Sequence, residues 1–278
     1  MKKMISLVLA GILAMSLLVG CGGKDQAKKV LKVATSPDFS PMAFVDPRKS
    51  GQDRFVGFDM MLAQYIADEM GMELEIVPMS FDACLMAAGN GTVDMAISGF
   101  SWMPGRAEKY NLSDTYHAGD NEENQVLITM AADADKYTEL EQLSGVKIGV
   151  QIASLQEFMC KSQLTESELV TVADIGTGLL QMKKSDFACM AVADGNADAI
   201  IANNPDVVKS GFMFEVDPQY TDNLVVLKKG ADELTATVNE ILAKAKAAGL
   251  YETWYAEAQE LAGIGVEISY TDPTEAGK

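Results

Sequence analysis

The sequence predicts an α/β protein folded as two lobes, and three observations carry that expectation. Strand-like and helix-like segments alternate along most of the chain. Removing a leader of 20 residues leaves 258 of the 278, which suits two compact lobes better than one or three. One helix–turn–strand pattern also occurs twice, as AAGNGTVDMAISG (87–99) and AVADGNADAIIAN (191–203), with Gly91, Asp94 and Ile97 set against Gly195, Asp198 and Ile201.

The leader is residues 1–20. MKKM is a short basic start, and Ile5–Val19 is an apolar run of 15 residues. A membrane-spanning helix needs roughly 20, so the run reads as a secretory signal. Leu18-Val19-Gly20-Cys21 resembles a bacterial lipobox, which makes Cys21 the expected lipidation site and the membrane anchor. Residues 21–29 then read as a lipid-anchored, flexible polar tether.

Beyond the tether, LKVA (31–34) is a short strand. Apolar residues at helical spacing run from Phe58 to Met70 and stop at Gly71. LEIV (74–77) is a strand, 81–88 an amphipathic helix closed by Gly89-Asn90-Gly91, and VDMAIS (93–98) the next strand. Pro104 suits the first turn of a helix, where its missing N–H costs nothing. In the second half VLITM (126–130), KIGV (147–150), LVTV (169–172) and AIIA (199–202) read as strands, interleaved with helices near 154–163 and 179–192. LVVL (224–227) leads into a helix from Asp232 to Ala248, ended by Gly249, and a last helix spans Tyr251 to Ala262. The internal repeat puts Ser98-Gly99 and Ala202-Asn203 at equivalent strand ends. Ligands collect at the carboxyl ends of strands in open α/β sheets, and two such edges facing each other make a cleft.

Composition removes several classes of function. A net charge of −18 argues against nucleic acid or an anionic membrane surface as the target. No GxGxxG, Walker, HExxH or EF-hand pattern is present, so no cofactor is expected. His117 is the only histidine, and Ser/His or Cys/His catalysis would rest on it alone. After Cys21 the cysteines are Cys84, Cys160 and Cys189, an odd number, widely spaced and set in apolar, helix-like stretches. They read as core residues, with neither a disulfide framework nor a metal site.

The stretch SGFSWMPGR (98–106) is the one with chemical content. It sets the hydroxyls of Ser98 and Ser101, the rings of Phe100 and Trp102, and Arg106 within a turn of a strand end. A guanidinium offers paired N–H donors that match both oxygens of a carboxylate, so the stretch reads as one side of a carboxylate site. A solvated surface arginine is the plainer alternative. Phe100 and Trp102 alternate around Ser101, so at most one shares its cleft side; Phe100 is assigned to the core and Trp102 stays a candidate.

VGFDMMLAQYIADEMG, SFDACLMAAGNGTVDMAISGFS with Arg106, LSDTY, GVKIGVQIASLQEFM, GNADAIIANNP and ELTATVNEILAKAKAAGLYETW occur in that order. Together they resemble the amino-acid-binding family of extracellular solute-binding proteins of ABC importers, over nearly all of residues 30–262. The resemblance implies a two-lobe periplasmic-binding-protein-like fold of type II, with an interdomain ligand cleft and two crossing hinge strands. Lobe 1 would be residues 30–120 and 226–270, lobe 2 residues 126–222, with hinges near 121–126 and 222–226. It implies that Arg106 grips the ligand α-carboxylate and that Ser98, Gly99 and Ser101 surround the ammonium and carboxylate. Phe39 and Phe81 would sandwich the ligand side chain, although pattern alone would put both in the core. Ser154 and Gln156 match a lobe-2 turn leading into a helix N-terminus, which favours an anion; Ser154 also suits a helix N-cap.

Departures from the family pattern bear on specificity. Asn203 stands where the family usually has an aspartate for the ligand ammonium, Ser36 where another acid is common, and Met103 where a threonine usually caps the helix. An amide supplies no counter-charge, and burying a cation without one is costly. Either other acids take over (Asp206, or Glu122 and Glu123), or the ligand is a carboxylate with no α-ammonium. The implied function is a monomeric, lipid-anchored, extracytoplasmic receptor that presents a small carboxylate, foremost an amino acid, to an ABC permease after hinge closure. A dehydratase-like periplasmic enzyme of the same fold and a signalling receptor are the other readings. The enzyme would need a general acid that the sequence does not place.

Overall fold

The computed structural model describes residues 29–116 and 123–263. The leader, Cys21, His117 and Glu122 fall outside the described residues. In chain order β1 (Val30–Thr35) is followed by the short strands β2 (Asp38–Phe39), β3 (Ala43–Val45) and β4 (Phe55–Val56), then α1 (Phe58–Glu69), β5 (Glu73–Pro78), α2 (Phe81–Asn90), β6 (Met95–Ser101), α3 (Pro104–Lys109) and β7 (Tyr110–Tyr116). The second set is β8 (Gln125–Met130), β9 (Lys147–Gln151), α4 (Leu155–Gln163), β10 (Glu168–Val172), α5 (Ile175–Lys183), β11 (Cys189–Ala193), α6 (Asp194–Asn203) and β12 (Val207–Met213). Then β13 (Asn223–Lys228), α7 (Asp232–Ala247) and α8 (Leu250–Leu261) complete the described elements.

Two five-stranded sheets share one plan, with orders β5-β1-β6-β13-β7 and β10-β9-β11-β8-β12. In each, the first three strands run parallel, and antiparallel strands complete the other side. The chain leaves the first sheet after β7 and returns to it at β13, so two connections join the lobes. Successive strand side chains point to opposite faces, and the core divides accordingly. Leu31, Val33, Met95, Ile97, Val225 and Leu227 pack with α1, α7 and α8, whereas Ala34, Ala96, Phe100, Leu224 and Val226 pack with α2 on the other face. The second lobe repeats this: Val126, Ile128, Met190 and Val192 serve one core, and Leu127, Ile148, Val150, Cys189 and Ala191 the other. Burial on both faces is why these strands read as continuous apolar runs.

Most of the expected elements form within a residue or two of their predicted bounds. One pair is corrected. CMAVA (189–193), taken as the end of a helix, is the central strand β11, and AIIA (199–202), taken as a strand, lies in α6. Periodicity cannot separate a short apolar run in a central strand from a buried helical turn. β11 pairs with both β8 and β9, and that tertiary partnership overrides local propensity. The internal repeat is therefore out of register. The lobes do share one plan, but the counterpart of β6 is β11 rather than residues 199–203. Cys84, Cys160 and Cys189 are free and buried, with Cys189 in a strand rather than a helix.

Candidate functional site

The carboxyl ends of β6, β9 and β11 converge on a cleft between the two sheets. Phe39, Phe81, Gly99, Ser101 and Arg106 line it from the first lobe, and Gln151, Leu155, Gln156, Ile175 and Ala191–Ala193 from the second. Gln125 and Asn223, which open the strands after each crossing, complete the wall.

Arg106 sits in the first turns of α3, whose first residue is Pro104, and is 5% exposed. Its Nη1 donates to the Ser101 carbonyl at 2.6 Å, and its Nη2 crosses to the Ala153 carbonyl of the other lobe at 2.6 Å. The guanidinium lies 5.5 Å from the ring centroids of both Phe81 and Phe100. Among the described residues no carboxylate pairs with it. Burial pushes its pKa down to about 10, so it still carries its charge at neutral pH. A buried cation without an anion is unfavourable by several kcal/mol, and an incoming carboxylate would relieve that. Two of its five N–H donors are used by the carbonyls, which leaves donors for a ligand.

The second lobe adds positive potential. Leu155 and Gln156 are in the first turn of α4, Ile175 opens α5, and Ala193 is the N-cap of α6. Three helix N-termini therefore point at one cleft, each with the positive end of its dipole, although some of their N–H groups are already bonded: that of Glu157 to Ser154 Oγ, that of Thr177 to Asp174 and that of Asp194 to the Asn124 carbonyl. The α5 end is already occupied. The Asp38 carboxylate of the first lobe accepts from the Ile175 N–H at 2.6 Å and from Gln151 Nε2 at 3.1 Å, and Ser36 Oγ donates to its other oxygen at 2.6 Å. Burial raises the Asp38 pKa, with these hydrogen bonds opposing. Asn196 Nδ2 of α6 also donates to the Ser40 carbonyl at 2.8 Å. With the Arg106–Ala153 bond, these contacts tie the lobes together across the cleft.

Gly99 has φ +59°, a region that disfavours L side chains, and a Cβ there would collide with the Phe39 ring. Its N–H donates to the Asp59 carboxylate at 2.7 Å, and Tyr116 donates its O–H to the same group at 2.8 Å. Asp59 is in the first turn of α1, fully buried, and burial pushes its carboxyl up to about 7. Phe39 is thus pressed between a side-chain-free backbone segment and the second lobe, where it also packs against the core. Ala153 has φ +63° without being glycine, a strained conformation that costs of order 1 kcal/mol or more. It is held by the Glu157 carboxylate on its N–H at 2.7 Å and by Arg106 on its carbonyl.

Of the residues that the sequence nominated, Arg106, Gly99, Ser101, Phe39, Phe81 and Gln156 lie together in the cleft lining. Ser98 lies just behind it, its hydroxyl accepting from the Ser36 N–H at 3.0 Å. Ser154 also stands back; it caps α4, its Oγ accepting from the Glu157 N–H at 3.1 Å. Trp102 is not among the lining residues and stacks on Tyr220, with ring centroids 6.2 Å apart. Asn203 is a correction: it ends α6, and its Nδ2 donates back to the Ala199 carbonyl at 2.9 Å, outside the cleft lining. The strand end that does face the cleft is Ala193, which has no charge to offer. Asp206 pairs with Lys183 at 2.9 Å, also away from the cleft lining. Sequence reasoning missed Gln125, Gln151, Asn223, Asp38 and Asp59. Only Asp59 carries a local signal, an acid inside the otherwise apolar stretch FDMML (58–62).

A cleft between two like α/β lobes, with a buried cation and converging helix N-termini, has the form of a two-lobe binding protein for a small solute. Residues 31–258 match the family model of bacterial extracellular solute-binding proteins, family 3, and the chain belongs to that family. It is 29% identical over 253 residues to the arginine-binding extracellular protein ArtP of Bacillus subtilis (strain 168), covering 87% of this chain and 92% of the relative. A probable histidine-binding protein of Campylobacter jejuni is 27% identical over 232 residues, covering 80% and 82%. Among solved structures, the amino acid ABC transporter substrate-binding protein AbpA of Streptococcus pneumoniae, bound to L-arginine, superimposes with a TM-score of 0.76 at 31% identity, covering 84% of this chain and 95% of that one. An ancestral arginine-binding protein bound to glutamine gives 0.73 at 26% identity, covering 85% and 99%. The fold is that of the type II periplasmic amino-acid-binding proteins, and the family is one of extracytoplasmic solute-binding proteins of transport systems rather than of enzymes.

Proposed function

We propose that this protein is the substrate receptor of an ABC importer and captures a small carboxylate of the amino-acid class by closing its two lobes. The observation that carries the reading is Arg106, a buried guanidinium at the cleft with no carboxylate partner among the described residues. Its relatives that bind arginine, histidine and cystine support the size and class of the ligand. Affinity comes from Arg106 and from the N–H groups at the starts of α4 and α6. The rings of Phe39 and Phe81 form an apolar wall, and Gln125, Gln151, Gln156 and Asn223 set orientation. Hinge closure about the two crossings buries the ligand and makes the surface that a membrane permease reads. Lipidation of Cys21, with removal of residues 1–20, would hold the receptor at the outer face of the membrane.

The test is calorimetric titration of purified protein, freed of carried-over ligand by unfolding and refolding, with amino acids and related carboxylates. Removing one partner of a buried, hydrogen-bonded charge pair costs about 2–5 kcal/mol, so Arg106→Ala should weaken the tightest ligand at least about 30-fold. Undiminished binding in that variant would refute the assignment of the carboxylate to Arg106.

A further inference from the structure

We infer that a groove on the first lobe, separate from the cleft, is the docking site of this chain's own residues 264–270, which would lie in it as an added strand along the edge of β5. The segment reads IGVEISY. Ile264, Val266, Ile268 and Tyr270 alternate strictly with Gly265, Glu267 and Ser269. Such alternation marks a strand with one face buried and one face wet. Thr271-Asp272-Pro273 ends the pattern, as a proline does at the limit of a strand. Four apolar side chains on one face need a surface to cover.

The groove supplies that surface where the chain arrives. Phe55, Met60 and Ile76 are its buried floor, and Tyr65, Met72 and Trp254 stand half-buried along it. The Tyr65 and Trp254 rings pack with centroids 5.5 Å apart. Lys49, Gln52, Gln64 and Asp68 form an exposed polar rim, and an apolar patch with such a rim marks an interaction site. Trp254 and Leu261 both line the groove from α8, so this last helix runs along it and delivers the chain there. The described residues stop at Gly263, two positions beyond Leu261. β5 is the edge strand of its sheet. The N–H groups of Glu73 and Met79 turn inwards to the Lys29 and Thr35 carbonyls, so those of Leu74 and Ile76 face outwards. The side-chain amide of Gln52 accepts from the Ile76 N–H at 2.7 Å and donates to its carbonyl at 3.3 Å, as the backbone of a neighbouring strand would. Leu74, another groove residue, has no strand beyond it. An added strand would pair there and set its apolar face on the floor, which joins main-chain bonds to side-chain pockets and removes an open edge. The lengths agree: β5 has six residues, and seven extended residues span roughly 23 Å against its roughly 20 Å.

The experiment is amide hydrogen exchange on the whole purified protein, read by mass spectrometry. Peptides covering residues 264–270 should exchange at least about 100-fold more slowly than an unstructured chain. Val266→Asp with Ile268→Asp should abolish that protection, whereas Glu267→Gln, on the wet face, should keep it. A second readout uses Trp254, which is the only remaining tryptophan in a Trp102→Phe background. There the double aspartate variant should shift the emission to the red and open it to acrylamide quenching. Exchange of 264–270 at the unstructured rate in the unsubstituted protein overturns the inference. So does protection that survives the double variant, or that is lost with an unmoved Trp254 emission, since the segment would then pack elsewhere. Protection that disappears on dilution, together with a dimer in sedimentation, also overturns it and gives the groove to a second copy of the chain.

Discussion

Asp59 offers the sharpest test of how the site is held, because its burial can be read as a pH dependence of stability. Its carboxyl is fully enclosed, receives N–H from Gly99 and O–H from Tyr116, and has its pKa moved from 3.8 to about 7 by desolvation. Folding therefore favours the protonated form. The stability this contributes is fully present below the unfolded value of 3.8 and is lost as pH rises through about 7. A displacement of about three pH units at 1.36 kcal/mol each makes the loss about 4 kcal/mol. Asp59→Asn removes the titration but keeps an acceptor for Gly99 and gains a donor towards the Tyr116 oxygen. Urea unfolding of both proteins at steps from about pH 4 to about pH 8 isolates the effect, because the other carboxylates cancel in the difference. The wild-type protein should lose about 4 kcal/mol relative to the variant across that range, nearly all of it below about pH 7. A difference that stays flat with pH would refute the burial argument, and one that rises would reverse its sign.

Two further outcomes follow from the cleft. Gly99→Ala forces a side chain into the left-handed region and against the Phe39 ring. It should cost about 2 kcal/mol in chemical denaturation and weaken ligand binding; stability within about 0.5 kcal/mol and unchanged affinity would contradict the stacking. Asp38→Ala removes two of the hydrogen bonds that join the lobes, those from Ile175 and Gln151. At about 1 kcal/mol net or more per bond, it should lower affinity roughly tenfold or more and enlarge the ligand-free radius of gyration in solution scattering. Equal affinity and an unchanged radius would show that the latch contributes nothing.

The alternation of strands and helices was legible because burial on both sheet faces leaves runs of apolar residues, and amphipathic helices with glycine stops separate them. β1, α1, β5, α2 and β6 were readable for that reason. The small strands β2–β4 and the antiparallel β7 and β12 were not, because each gains its stability from a neighbouring strand rather than from its own pattern. At the site, Arg106 was legible as a candidate because its paired N–H donors match a carboxylate and it follows a strand end closely, but only the fold separates it from a solvated surface arginine. The amides Gln125, Gln151 and Asn223 were invisible, since nothing local separates a cleft glutamine from a surface one.

By itself, then, the sequence determined the α/β class, the two-lobe length and the single cation that an anionic ligand would seek. Tertiary structure alone decided which strand end faces that cation. CMAVA and AIIA carry nearly the same local information. Pairing of CMAVA with β8 and β9 makes it the central strand, which leaves AIIA to the following helix and puts Ala193, not Asn203, at the cleft. A hydrogen-bonded position between two strands stabilises a segment more than its intrinsic propensity can oppose, and that position exists only once the chain has folded.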